Sequence, residues 1–216
     1  KIYFNITLIL IVLFISGCAA PIETSNNDIK QRNDNKQLSE EDSQECSNYL
    51  NYQKDYWKNR NYRRVIYCNR YMMDLGCDFS DTPVSYYNLA SSYMKINKEG
   101  IAEPDSAFWA LNKGLQVNKE DETLLELGAY LSKEINNISQ SIYYLDKVIS
   151  INDKNQRALE QLSDIYGRED RYEDQIEILN LWLKLDIDQK KFKKAIGLKK
   201  QAYKALGRET SDVDKE

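Results

Sequence analysis

The chain has 216 residues, with 34 acidic and 30 basic side chains, a net charge of −4 and no histidine. A net acidic chain lacks the basic field that general nucleic-acid binding needs. Without histidine it also lacks the commonest general base, metal ligand and pH switch. Eight glycines and three prolines argue against a turn-rich all-β fold, while 42% hydrophobic residues suffice for a core.

The N-terminus reads as a signal. Lys1 is followed by Ile2-Tyr3-Phe4-Asn5 and an apolar run from Ile6 to Ile15. That run is shorter than the roughly 20 residues a membrane-spanning helix needs, and it suits the h-region of a secretory signal. It ends in Ile15-Ser16-Gly17-Cys18, which resembles the lipobox of bacterial lipoproteins. The resemblance implies removal of residues 1–17 and acylation of Cys18. Three acyl chains, at about 0.8 kcal/mol per buried methylene, would hold such a protein stably at a membrane. Ala19, where an inner-membrane retention signal would place Asp, points to the outer membrane. The alternatives are an ordinary signal peptide with a chance cysteine, or an uncleaved anchor. Residues 18–44 are mostly polar and poor in aromatics, so they are expected to form a flexible tether.

Beyond the tether the pattern is helical. Tyr49, Tyr52 and Tyr56 mark one amphipathic helix, and Tyr62, Val65, Ile66, Met72, Met73 and Leu75 a second that ends at Gly76. Gln53 and Asn69 interrupt the apolar pattern at two core places. Thr82-Pro83 opens a third helix carrying Tyr86, Leu89, Ala90 and Tyr93. A fourth runs from Pro104 to about Asn118 with Ala107, Phe108, Leu111 and Leu115. Next come Leu124, Leu127, Gly128 and Leu131, then Ser141, Ile142, Leu145 and Ile149. Leu159, Leu162, Ser163 and Tyr166 follow, then Tyr172, Ile176, Leu179, Trp182 and Leu183. Leu111, Leu145 and Leu179 recur at a period of about 34 residues, the length of a two-helix solenoid unit. A final helix, about Gln189 to Leu206, presents Phe192, Ala195, Ile196, Ala202, Tyr203 and Leu206. Opposite them lie Lys190, Lys193, Lys194, Lys200 and Lys204, a basic face that suits solvent, anionic headgroups or an acidic partner.

These segments resemble tetratricopeptide repeats (TPRs). The resemblance implies an all-α, TPR-like right-handed solenoid over residues 45–207. It would have about four helical hairpins, a C-terminal closing helix and a polar tail at 208–216. Gln175 stands where the family prefers alanine, so that contact is expected to be looser or rearranged. Family positions carried onto this chain give an inner wall of Leu50, Lys54, Trp57 and Lys58, then Tyr87, Ser91, Met94 and Lys95. The later repeats add Leu125, Ala129, Ser132 and Lys133, then Arg157, Glu160, Asp164 and Arg168. Within it Trp57, Lys58, Tyr87, Met94, Lys95, Lys133 and Arg168 form the candidate groove. Lys58, Lys95, Lys133 and Arg168 share one repeat position and suit an acidic peptide or C-terminal carboxylate. Lysines near helix C-termini also simply complement the macrodipole.

Cys46, Cys68 and Cys77 remain after the lipobox cysteine. A hairpin turning near Asn59 to Asn61 brings Cys46, before its first helix, to Cys77, after its second. A Cys46–Cys77 disulfide is therefore expected, closing a loop of about 32 residues, with Cys68 a buried thiol. The alternative is three reduced cysteines. No glycine-rich phosphate loop, Cys-x-x-Cys, metal-spaced cluster or Ser-His pair occurs, so neither a cofactor nor a metal is expected. The reading is a non-enzymatic, membrane-anchored scaffold for a protein or peptide partner, facing the periplasm in a bacterial cell envelope. The competing readings are a structural subunit of a secretion, pilus or outer-membrane assembly complex and, more remotely, a cell-wall hydrolase.

Overall fold

A computed structural model of the chain describes residues 38–77, 83–97 and 104–213. The lipobox, Cys18 and the tether up to residue 37 lie outside the described residues, as do Thr82 and residues 98–103. Among the described residues there are nine α-helices. They are α1 (Glu40–Lys58), α2 (Tyr62–Leu75), α3 (Pro83–Asn97), α4 (Pro104–Val117), α5 (Glu122–Glu134), α6 (Ile138–Ile151), α7 (Gln156–Arg168), α8 (Tyr172–Leu183) and α9 (Gln189–Ala205). A 3₁₀ turn spans Thr210–Asp212. Helices pair as α1/α2, α3/α4, α5/α6 and α7/α8, and the second helix of each pair rests on the first of the next.

Local chemistry sets the helix ends. Asp121, Asn137, Asn155 and Asp188 each accept a hydrogen bond from the backbone N–H three residues on, filling an otherwise orphaned donor. The hairpin turns repeat in backbone even where sequence does not. Arg60, Asn136 and Asp170 all take left-handed φ values of 55–59°. The following N–H in each case closes onto a carbonyl five residues back, at Tyr56, Ser132 and Tyr166. This is a Schellman-type closure made without glycine.

The core is continuous along the stack. Leu111, Leu145 and Leu179, one period apart, are all fully buried. A single hairpin could not hide such a face; its neighbour does so.

Both ends of the folded region are longer than the sequence pattern indicates. Helix α1 begins at Glu40, so residues 40–44 are helical rather than part of the tether. Ser39 caps the helix through the Asp42 N–H, and Glu40, Glu41 and Asp42 complement its dipole. The 208–216 segment is not simply a polar tail: Val213 is 3% exposed and packs with Ile176, Ala202 and Tyr203.

The buried amides at Gln53, Asn69 and Gln175 are satisfied, whereas the buried Ser92 hydroxyl and Trp182 indole N–H have no hydrogen-bond partner among the described residues. Gln53 Nε2 donates to Asn69 Oδ1 at 2.9 Å, and Asn69 Nδ2 to the Val65 carbonyl at 2.8 Å. The two interruptions of the first repeat therefore pair with each other. In the third repeat Ser141 Oγ donates to the Ala129 carbonyl at 3.0 Å. One period on, Gln175 Nε2 donates to the Ser163 carbonyl at 2.9 Å. The longer glutamine fits because its neighbour is Gly167: a Cβ there would stand 3.1 Å from Gln175 Cδ, with Nε2 closer still. The rearrangement expected at Gln175 is thus a side chain housed by an absent one.

Gly167→Ala alone is expected to cost about 1–3 kcal/mol by overpacking. In a Gln175→Ala background the same change should be neutral or stabilising by up to about 1 kcal/mol, because alanine is the better helix former. A double-mutant cycle by urea unfolding checks this; additive effects would refute the coupling.

Candidate functional site

The first helices of the hairpins, α1, α3, α5 and α7, carry the residues assigned to the inner wall. The left-handed turn residues provide a common origin for comparing them. Lys58 and Arg168 lie two residues before Arg60 and Asp170, but Lys133 lies three before Asn136. Counted from the turn, Lys133 is therefore equivalent to Trp57, and Glu134 takes the place of Lys58. The third repeat's wall was read one residue too early, and the four-cation row at one repeat position is broken by Glu134.

The slip has a packing consequence. Leu125, Ala129 and Ser132 are all buried, because they belong to the hairpin core rather than the wall. Met94 is also withdrawn: it is 5% exposed and packs in the central core, where α3 is covered by neighbouring α5. Ser91 is buried as well. Lys58, Lys133 and Arg168 remain exposed. Lys58 lies 4.0 Å from Asp55 with both side chains largely in solvent, a contact worth little.

On the far half of the wall, Arg157, Glu160 and Asp164 are tied up within the chain. Arg157 pairs with Glu126 at 3.1 Å. Asn155 Nδ2 donates to Glu122 and Glu126 at 3.0 and 2.9 Å. Lys194 reaches Glu160 at 2.7 Å and Asp164 at 3.2 Å. Burial alone would lower the Lys194 pKa, but hydrogen bonds to these two carboxylates outweigh it and raise it. Lys194 is thus a brace between α9 and α7, not part of a solvated lysine face.

The near half is different. Trp57 from the end of α1 and Tyr87 from α3 are half-buried, with ring centroids 6.2 Å apart at 71°. Tyr62, the first residue of α2, lies 5.7 Å from Trp57 at 68°. The Lys95 ammonium sits between them, 4.3 Å from the indole centroid and 5.0 Å from the Tyr62 ring. Both edge-to-face pairs and the cation are in favourable geometry. The ring system holds the exposed lysine in one place, so its charge is presented at low entropic cost. Beside it is an open hollow of about 390 Å³ lined by Asn59, Arg60, Asn61, Tyr62, Arg63 and Ile96. The patch is aromatic and cationic, and contains no nucleophile–base pair.

Three of the seven groove residues, Trp57, Tyr87 and Lys95, are therefore brought together. Tyr62 was missed. Its apolar spacing with Val65 and Ile66 assigns it to a helix core, and only the turn at Arg60 swings it back over Trp57.

The architecture has close structural counterparts. MamA matches over 79% of this chain and 86% of its own, at 16% identity and a TM-score of 0.62. A tetratricopeptide repeat protein from Parabacteroides merdae matches over 76% of this chain and 61% of its own, at 15% identity and TM-score 0.65. YrrB, described as a TPR protein with an unusual peptide-binding site, matches over 75% and 78%, at 16% identity and TM-score 0.58. The fold is a TPR-like solenoid. No protein-family model matches the chain, and no curated protein matches it in sequence. At these identities the likeness concerns architecture alone. The TPR-like register still explains why wall positions differ so much between repeats. The hairpin core fixes every third or fourth residue, and the wall residues between them vary at little cost to the stack.

Proposed function

We propose that this chain is a protein-interaction scaffold whose Trp57–Tyr62–Tyr87–Lys95 patch seats an acidic, partly apolar peptide segment. The observation that carries the reading is Lys95, held between the Trp57 and Tyr62 rings beside Tyr87. Aromatic side chains are enriched in binding patches, and a fixed ammonium flanked by rings suits a carboxylate adjoining an apolar side chain. The architecture shared with YrrB, a protein with a peptide-binding site, supports the class of partner. The Ile15-Ser16-Gly17-Cys18 box supports a location: a bacterial envelope membrane, with the solenoid hung from acylated Cys18 on the tether.

Photocrosslinking in intact envelopes tests both parts. Lys95→Glu should reduce capture of a discrete partner at least tenfold, while Lys133→Glu changes it little and both variants stay folded by circular dichroism. Equal capture by Lys95→Glu would end the groove reading. Cys18→Ser should move the protein from the membrane to the soluble fraction, and persistent membrane association would end the anchor.

A further inference from the structure

The turn between α1 and α2 carries a residue that its geometry does not require. Arg60 holds a left-handed backbone, with φ at 57°. Asparagine and aspartate tolerate that region better than long side chains, because their short polar groups bond locally. The equivalent turns of two later hairpins follow this preference, with Asn136 at φ 59° and Asp170 at φ 55°. All three turns close through the same backbone hydrogen bond, so an arginine adds conformational cost and gains nothing for the closure. The α1 dipole does not demand it either. Lys58 already places a cation in the last turn of α1, and Asp170 puts the opposite charge just after α7. The Arg60 side chain is exposed and holds no ion pair among the described residues. A backbone held against local preference is a feature of ligand clamps.

The surroundings of Arg60 supply the ligand chemistry. It lines the hollow of about 390 Å³ together with Asn59, Asn61, Tyr62 and Ile96. Tyr62 belongs both to this hollow and to the Lys95 patch, since its ring stands 5.0 Å from the Lys95 ammonium. Lys95 itself stands outside the lining of the hollow. Two cations from two hairpins therefore border one tyrosine from separate positions. Given the Lys95 patch as a peptide seat, on which this reading rests, we propose that Arg60 is its second specificity-determining cation. The partner segment then carries two carboxylates, one on the Lys95 ammonium and one in the hollow against the Arg60 guanidinium. Separate cations select two separate anions over a single doubly charged group. The guanidinium offers a carboxylate a planar fork of N–H donors, which a lysine would not. The apolar side chain between the two acids packs on Tyr62, the residue common to both positions.

The test uses fluorescein-labelled Gly/Ser peptides that contain two Glu residues with one Leu between them, at a series of Glu–Glu spacings. In the matching controls one or the other Glu is replaced by Gln. Fluorescence anisotropy against the whole chain should show the best two-Glu peptide binding about fivefold or more tighter than both its controls. Arg60→Asn suits the left-handed turn, so Tm should hold or rise while the two-Glu advantage disappears. Arg60→Gly, which frees the turn, should show the same loss of advantage. Lys95→Glu should weaken every peptide. Peptides that depend on Lys95 but ignore Arg60→Asn, or two-Glu peptides that bind no tighter than their controls, would overturn the role of Arg60 and leave the peptide seat standing. A loss in Arg60→Asn that is absent in Arg60→Gly would be an effect of the turn and would likewise overturn it. No binding by any peptide, or binding that Lys95→Glu leaves unchanged, would overturn the seat and the second cation together.

Discussion

Replacing Leu145 by Ala is expected to lower the unfolding free energy by about 2–5 kcal/mol. Leu145 is fully buried in the central core and sits mid-stack, in α6. The substitution removes three buried carbon atoms and leaves a void lined by neighbouring helices that are each held on two sides. Such a site relaxes little, so the cavity adds to the lost transfer energy. In a solenoid the damage also spreads to the junctions, because a weakened unit offers less surface to α4 below and α7 above. Urea unfolding should show a lower midpoint. Tyr143→Ala, two residues away on the exposed face, provides the control and should stay within about 0.5 kcal/mol. A loss below about 1 kcal/mol at Leu145 would mean that this position is not part of a close-packed layer.

The second large effect concerns the first hairpin. Cys46 and Cys77 form a disulfide with Cα atoms 5.8 Å apart and a sequence separation of 31. In the chain-entropy model a loop of that length stabilises by about 3–4 kcal/mol. The paired change Cys46→Ser with Cys77→Ser should therefore lower stability by that amount, and Tm by roughly 7–15 °C for a chain of this size. The loss should be local first. The hairpin α1/α2 is the first of the described hairpins, its core contains the Gln53–Asn69 pair, and among the described residues it packs chiefly on α3. Hydrogen exchange should accelerate in α1 and α2 before it does so in α5 and α6. Wild-type protein treated with reductant should match the double variant. If reduction and substitution both left Tm unchanged, the bond would contribute nothing to the hairpin. Cys68, a fully buried thiol in α2, is left in place in both arms.

The helical pattern could be read directly from the residues. Buried leucines at a 34-residue spacing identify the stack, and the helix starts read at Pro83, Pro104 and Gln189 agree with the structure, whereas α1 begins at Glu40, before the expected start at 45. The pairing of Cys46 with Cys77 also follows from the hairpin, although Cys46 lies inside α1 rather than before it, because the helix starts at Glu40. The candidate site was only partly readable. Trp57 on α1 and Tyr87 and Lys95 on α3 occupy wall positions that helical periodicity marks. Met94, Leu125, Ala129 and Ser132 obey it too, yet lie inside. Wall and core positions alternate within one turn, so a one-residue slip in register exchanges them. The slip arose because Leu124, Leu127 and Leu131 mimic the apolar spacing of the neighbouring repeat, and Gly128 mimics its small residue.

Hydrophobic period and capping chemistry determine that this chain forms paired helices and roughly where each begins, because those choices depend on residues within a turn or two of each other. Which polar groups tolerate burial, and which lysines are braces and which are presented, depend on neighbours tens of residues away. Gln175 is acceptable only because Gly167 stands opposite, and Lys95 is held only because the Arg60 turn returns Tyr62 beside Trp57. Such contacts arise from the way one hairpin seats on another, and they leave no periodic trace in the residues that make them.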